Sequence, residues 1–225
     1  MHRFVLLYTG LSFSTALAIL PCKAQNKTVR TPDLIKLAAD KKITVSNRNM
    51  TMLTDEHHIN SLHLDDKEGI GLAWLDGVQF TTGTIEFDVR GKDLMQQSFA
   101  GIAFHGVNDS TYDAVYFRPF NFKSTDTIRR SHCVQYISLP QYDWPTLREK
   151  YPNKYEQAIH PSPDPNTWFH VRIVVKNMLV SVYVNNNSVP SLVVTTLNTR
   201  SDGMIGFWTG NHSAGDFANL KIINE

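Results

Sequence analysis

Three groups of residues in this 225-residue chain are of types that do chemistry. The first is a pair of acids, Glu86 and Asp88, in Thr84-Ile85-Glu86-Phe87-Asp88-Val89-Arg90. Alternate residues of a strand project to one face. Two carboxyls about 5–9.5 Å apart can flank a glycosidic bond and hydrolyse it. Asp113 and His105 are further acid–base candidates. The plainer alternative for Glu86 and Asp88 is a solvated, salt-bridged strand face with Arg90 as neighbour. The second group is Tyr112, Tyr116 and Arg118, two rings and a guanidinium on one strand face, which suit stacking on a ring and hydrogen bonding to hydroxyls. His105, in Ala103-Phe104-His105-Gly106, is expected on the same face of the neighbouring strand, and Asn121 lies just beyond. The third group lies in Gln135-Tyr136-Ile137-Ser138-Leu139-Pro140-Gln141-Tyr142-Asp143-Trp144-Pro145. Gln135 ends a strand there. Trp144 with Tyr142 forms either a stacking wall in a loop or an anchor from a short helix to the core.

Other chemistries find little support. Asp55-Glu56-His57-His58 is dense, but adjacent strand residues point to opposite faces. His57 and His63 share a face without a third ligand at a metal-binding spacing, so no metal site is expected. A structural calcium near Asp65-Asp66 or Asp216 is the one cofactor the oxygen ligands suggest. Cys133 directly follows His132, which places them on opposite faces and favours a buried, inert thiol. There is no nucleophile elbow, phosphate loop or dinucleotide fingerprint. Lys and Arg number 22 against 21 Asp and Glu, for a net charge of +1. Bulk charge therefore steers the chain to neither nucleic acid nor an anionic membrane.

The elements that must position these groups follow from the hydropathy pattern. Met1-His2-Arg3 precedes an uncharged, mostly apolar run from Phe4 to Leu20, and Cys22-Lys23-Ala24 fits a signal-peptidase site. Residues 1–24 read as a signal peptide, with lipid attachment at Cys22 the weaker alternative because Pro21 precedes it. Cleavage leaves 20 basic against 21 acidic residues, a net of −1, and no membrane span. Only Cys133 then remains, so no internal disulfide is available and the core must hold the domain. An exported monomer, periplasmic or extracellular, is the expectation. Residues 25–42 form an extension in which Thr31 caps a short helix and Pro32 takes its first position. From Ile43 onward the period is two. Ile85, Phe87 and Val89 share a face, as do Phe169, Val171, Ile173 and Val175, and Val180, Val182 and Val184. Asn185-Asn186-Asn187 supplies a turn. Pro145 to Ala158 alone looks helical again, with Asp143 as cap and Pro152 as an interruption. Many half-buried antiparallel strands need two packed sheets, so residues 43–225 are expected to form an all-β sandwich with one or two short helices.

Several of these strands carry a family likeness. Phe80-Thr81-Thr82-Gly83-Thr84-Ile85-Glu86-Phe87-Asp88-Val89-Arg90, Trp168-Phe169-His170-Val171-Arg172-Ile173-Val174-Val175, Val182-Tyr183-Val184-Asn185, Gly203-Met204-Ile205-Gly206-Phe207-Trp208 and Gly215-Asp216-Phe217-Ala218-Asn219-Leu220-Lys221-Ile222 resemble strands of the concanavalin A-like lectin/glucanase jelly rolls. Their order is similar to laminin-G-like modules and to bacterial 3-keto-disaccharide hydrolase-like domains. The resemblance implies an antiparallel two-sheet jelly roll and three readings. One is carbohydrate binding on the concave sheet face through Arg118, Tyr116, Tyr112, Asn121, Gln135 and Trp144. Another is a glycoside hydrolase or lyase using Glu86, Asp88, Asp113 or His105. The third is a laminin-G-like protein-interaction module. Glucanases of this fold carry Glu-x-Asp-x-x-Glu, and the third acid is replaced here by Gly91.

Overall fold

The computed structural model describes residues 1–2 and 27–225, so the expected leader lies, from residue 3 on, outside the described residues. Two antiparallel sheets pack face to face. The first has eight strands. In spatial order these are β13 (Leu192–Thr195), β12 (Leu179–Val184), β11 (Phe169–Lys176), β6 (Gly83–Arg90), β15 (Gly215–Asn224), β4 (Ser61–Leu64) and β3 (Met50–Met52), with β1 (Thr28–Arg30) also paired to β15. The second has seven: β10 (Glu156–Gln157), β9 (Val134–Ser138), β8 (Thr111–Phe117), β7 (Ala100–Asn108), β14 (Gly203–Thr209), β5 (Gly71–Phe80) and β2 (Ile43–Ser46). Among the described residues three short helices complete it: α1 (Leu34–Ala39), α2 (Thr127–Arg130) and α3 (Trp144–Lys150). No described helix is long and apolar enough to cross a membrane. The all-β jelly roll expected from the alternation is the observed fold.

The period-two pattern becomes the core directly. On β6, Ile85, Phe87 and Val89 are fully buried while Glu86, Asp88 and Arg90 are half-buried on the outer face. On β11, Val171 and Ile173 do the same against Arg172 and Val174. Rings lock the two layers together. Phe117 of β8 meets Phe169 of β11 edge-on at 5.2 Å, and Phe207 of β14 stacks on Phe217 of β15 at 4.5 Å. Such pairs add about 0.5–1.5 kcal/mol each beyond the area they bury.

Local differences from the sequence expectation have physical causes. Helix α1 is capped by Asp33, whose Oδ1 accepts from Lys36 N at 2.9 Å, not by Thr31. Asn60 sets this start: its Oδ1 accepts from Leu34 N at 2.7 Å and its Nδ2 donates to Pro32 O. Pro32 thus sits before the cap. The second helical segment stops at Lys150, because Pro152 cannot continue it. Glu156 and Gln157 instead pair with Gln135 and Val134 as strand β10.

The outer face of the seven-stranded sheet is covered by its own connections. Every residue from Tyr112 to Phe117 is buried, on both faces of β8. The segments 118–133 and 139–155 lie over it, and they leave the sheet where β8 and β9 end. Gly101 on β7 makes room beneath them. A Cβ there would lie 2.1 Å from Val115 O and 2.8 Å from Tyr116 Cβ. Gly101→Ala is therefore expected to destabilise the protein by about 1–3 kcal/mol in urea unfolding, the range for overpacking. An unchanged midpoint would contradict that close approach.

Candidate functional site

A cleft of about 570 Å³ opens on the outer face of the seven-stranded sheet, walled by the two covering segments. Its floor is Tyr116 and Trp208, part of a row in register across neighbouring strands: Glu156, Gln135, Tyr116, Gly101 and Trp208. Because Gly101 has no side chain, Tyr116 and Trp208 stack across it, 4.6 Å apart and 26° from parallel. Trp208 Nε1 then donates to Tyr112 OH at 3.1 Å, so Tyr112 lies beneath the floor. Burial pushes the hydroxyls of both Tyr112 and Tyr116 up to about 12.

Arg118, one residue past the end of β8, organises the polar part. Its Nη2 donates to Tyr116 OH at 2.8 Å and to Gln135 Oε1. Tyr116 OH donates in turn to Gln135 Oε1 at 3.3 Å. Its Nη1 donates to His132 O at 3.1 Å and to Glu156 Oε2 at 3.3 Å. Glu156 is only 3% exposed and is shared. Arg148 of α3 holds it through Nε and Nη2, at 2.6 and 2.8 Å. His132 Nε2 stands 3.3 Å from its Oε1, and burial lowers the His132 pKa, so that ring is neutral near pH 7. Two buried amide atoms at the floor have no partner: Gln135 Nε2 and Asn121 Oδ1. Asn121 Nδ2 is fixed by His132 O at 3.2 Å, which leaves the oxygen free.

The wall carries the aromatic surface. Asp143 caps α3 by accepting from Trp144 N at 2.6 Å. Leu147 faces the core, while Trp144 is 43% exposed and lines the cleft with Arg148 at 4.9 Å over its ring. The helix is anchored by Leu147 and not by Trp144. Phe99, Met95 and Ile70 line the opposite side.

Of the sequence candidates, Tyr116, Arg118, Asn121 and Trp144 line this cleft, with Gln135 and Tyr112 immediately under it. The others lie elsewhere. His105 does not share the face of Tyr116 and Arg118. The register of β7 shifts after Phe104, and His105 adopts φ +50°, which turns its ring into the interior against Phe80. There its Nδ1 faces Asp113 at 3.3 Å and its Nε2 meets Thr81 O at 2.6 Å. Asp113 is fully buried and also accepts from Tyr136 OH, Asn198 Nδ2 and Arg200 Nη2, a clamp that ties the 196–202 segment to the sheet. Glu86 and Asp88 stand on the outer face of the other sheet, across the sandwich from the cleft. Lys221 meets Glu86 at 3.3 Å, and Asp88 binds His170 Nδ1 at 2.7 Å and Asn219 at 2.7 Å. Arg90 pairs with Asp216 at 2.7 Å, and Asp216 also binds His63 Nδ1 at 2.6 Å. This is the compensated strand face offered above as the plainer alternative.

Glu156, Arg148, Asp143 and Trp208 were not singled out for the cleft from the sequence. Only Trp208 had a readable signal, since its neighbour Phe207 faces inward and strand alternation places Trp208 outward. Asp216 spends both oxygens on His63 and Arg90, Asp65 is engaged by Asn49, and no group of three or more potential ligands gathers among the described residues. Cys133 is buried, and its thiol is pushed up to about 11 by burial.

No protein-family model and no curated protein sequence matches the chain. Solved structures do. A carbohydrate-binding module CBM66 from Bacillus subtilis superposes with a TM-score of 0.56 at 12% identity, over 80% of this chain and 95% of that one. A Bacillus subtilis protein of unknown function with a galectin-like fold gives 0.58 at 13%, over 87% and 94%. The carbohydrate recognition domain of Emp46p, in metal-free form, gives 0.55 at 13%, over 86% and 94%. The chain shares the two-sheet jelly-roll fold of these structures. At these identities the likeness is one of fold, and the cleft must be read from this chain's own residues.

Two outcomes test the electrostatics of this jelly roll. Glu156→Gln leaves two guanidiniums facing a neutral amide and should cost about 3–5 kcal/mol in chemical unfolding; a smaller loss than a surface substitution would show that the cluster is not closed. Asp55, on the far face, is held down at about 2 by the hydrogen bond from Trp168 Nε1 (3.1 Å) and by the His57 N–H. A carboxyl lowered in the folded state stabilises above its unfolded value near 4, and that contribution is lost as pH falls through about 2. Asp55→Asn should therefore lose less stability than the parent over that acid range, and equal slopes would remove Asp55 from the account.

Proposed function

We propose that the cleft binds a saccharide. The observation that carries this is an exposed tryptophan in the same cleft as a buried amide oxygen without a donor. Trp144 offers an apolar face for a pyranose ring, and Asn121 Oδ1, which shares the cleft lining, has no partner. Buried polar groups are normally satisfied. A sugar hydroxyl can donate to that oxygen, and a pyranose C–H face suits the indole. The volume lies within the range of small-ligand sites. The carbohydrate-binding module and recognition domain that share the fold support the reading. The apolar run and Cys22-Lys23-Ala24 support an exported protein, which would meet extracellular or periplasmic glycans.

Hydrolysis is less well supported in this cleft. A glycosidase needs two free carboxyls across the bond. Asp143 lines the wall, but both oxygens of Glu156 are held by Arg118 and Arg148. A protein-interaction module would show no glycan retention.

The test is a glycan array followed by titration of the retained sugar. Trp144→Ala is expected to weaken binding about tenfold, the scale of one ring-stacking contact. Glu86→Gln, on the other sheet, should leave affinity unchanged. Full affinity in Trp144→Ala, or an array on which nothing is retained, overturns the proposal.

A further inference from the structure

The unmet hydrogen-bonding capacity of the cleft is unequal in sign, and this narrows its ligand. The proposal rests on the saccharide reading above. Three arginines line the cleft: Arg118, Arg129 and Arg148. Four of the five N–H groups of Arg118 are engaged, which leaves its Nε–H. Arg148 uses Nε and Nη2 on Glu156, which leaves both N–H groups of Nη1. Arg129 is half-exposed, with Asp126 only at 3.7 Å.

On the acceptor side the cleft offers little. Glu156 has both oxygens occupied and is 3% exposed. Asp143 gives Oδ1 to the backbone of Trp144 and retains one oxygen, and Asn121 retains its Oδ1. One carboxylate shared between Arg118 and Arg148 leaves a surplus of positive charge at the floor. Donors out of bulk water are costly when unmet, and charge-assisted bonds to guanidinium are the strongest way to meet them.

We propose that the cleft takes an anionic saccharide, with a carboxylate or sulfate ester at Arg118 and Arg148 and a ring hydroxyl at Asn121 Oδ1. A uronic acid and a sulfated sugar share this chemistry. The wall carboxylate Asp143 then limits the anion to the floor end and keeps the neutral ring face toward Trp144.

The experiment compares paired ligands on an array that carries neutral, uronate-containing and sulfated glycans. Hits are titrated beside their carboxyl-reduced or desulfated forms. Retention of acidic glycans, with at least about a tenfold loss on removing the anion, is expected. Loss on carboxyl reduction identifies the uronate, and loss on desulfation identifies the sulfate. Affinity should also fall as salt rises from about 0.05 to 0.5 M. Arg148→Gln is expected to weaken the acidic ligand about tenfold. Because that change also loosens Glu156, Arg129→Ala serves as a second variant: it is exposed, should fold normally, and should reduce the salt dependence. Equal affinity for acidic and neutral forms overturns the anion while leaving the saccharide reading intact. Retention of no glycan overturns both.

Discussion

A carboxylate that cannot reach water sets the geometry of this protein's covered face. Glu156 lies on a two-residue strand that would have little hold on the sheet by its two backbone pairs alone. Burying an unpaired carboxylate costs several kcal/mol, so the fold must bring cations to it. It does so from two directions, Arg118 from the end of β8 and Arg148 from α3, while the neutral His132 ring stands 3.3 Å away on the segment before β9. The segments that cover the sheet are thereby closed at one point. Leu147, Tyr155 and Ile159 add apolar contact to the core around it. The cleft is the space these closed segments leave between themselves and the sheet.

The two outer faces of the sandwich illustrate opposite solutions to polar residues on strands. On the eight-stranded sheet, charge is arranged in register: Arg90 and His63 flank Asp216, and Lys221 and Arg172 flank Glu86. These groups are half-buried, and each acid has a neighbour of opposite sign or a hydrogen-bond donor. Such pairs contribute little stability apiece. On the seven-stranded sheet the same register carries Tyr116, Gln135 and Trp208 under cover. There Arg118, Tyr116 and Gln135 satisfy one another, leaving Gln135 Nε2 buried without a partner.

This contrast also explains how much the sequence could reveal. Strands such as β6 and β11 have one face in water, so their alternation was legible and the jelly roll followed from it. On β8 both faces are buried, and Tyr112-Asp113-Ala114-Val115-Tyr116-Phe117 reads as a dense run whose function lies on only one side. Tyr116, Arg118, Asn121, Gln135 and Trp144 were still legible as a cluster, because polar-tipped aromatics beside arginine need partners. His105 was not, because the break in the β7 register after Phe104 turned it inward, and nothing in Phe104-His105-Gly106 specifies which residue takes the positive φ. Glu156 was hidden for a different reason. Its partners lie 38 and 8 residues away and arrive through chain segments whose path depends on the pairing of Glu156 itself.

The polarity of the floor follows from the one group in it that cannot give up its proton. Arg118 only donates, so Tyr116 OH must accept from it and pass its own proton on to Gln135 Oε1. The amide oxygen is consumed by both, and the planar amide then has to direct Nε2 away from Arg118, where it is buried without an acceptor. Burial keeps the Tyr116 hydroxyl protonated up to about pH 12, so this direction does not reverse across the physiological range. Donor character at the floor is thus dictated from the guanidinium outward, and Gly101 is what allows the tyrosine that relays it to lie flat against Trp208.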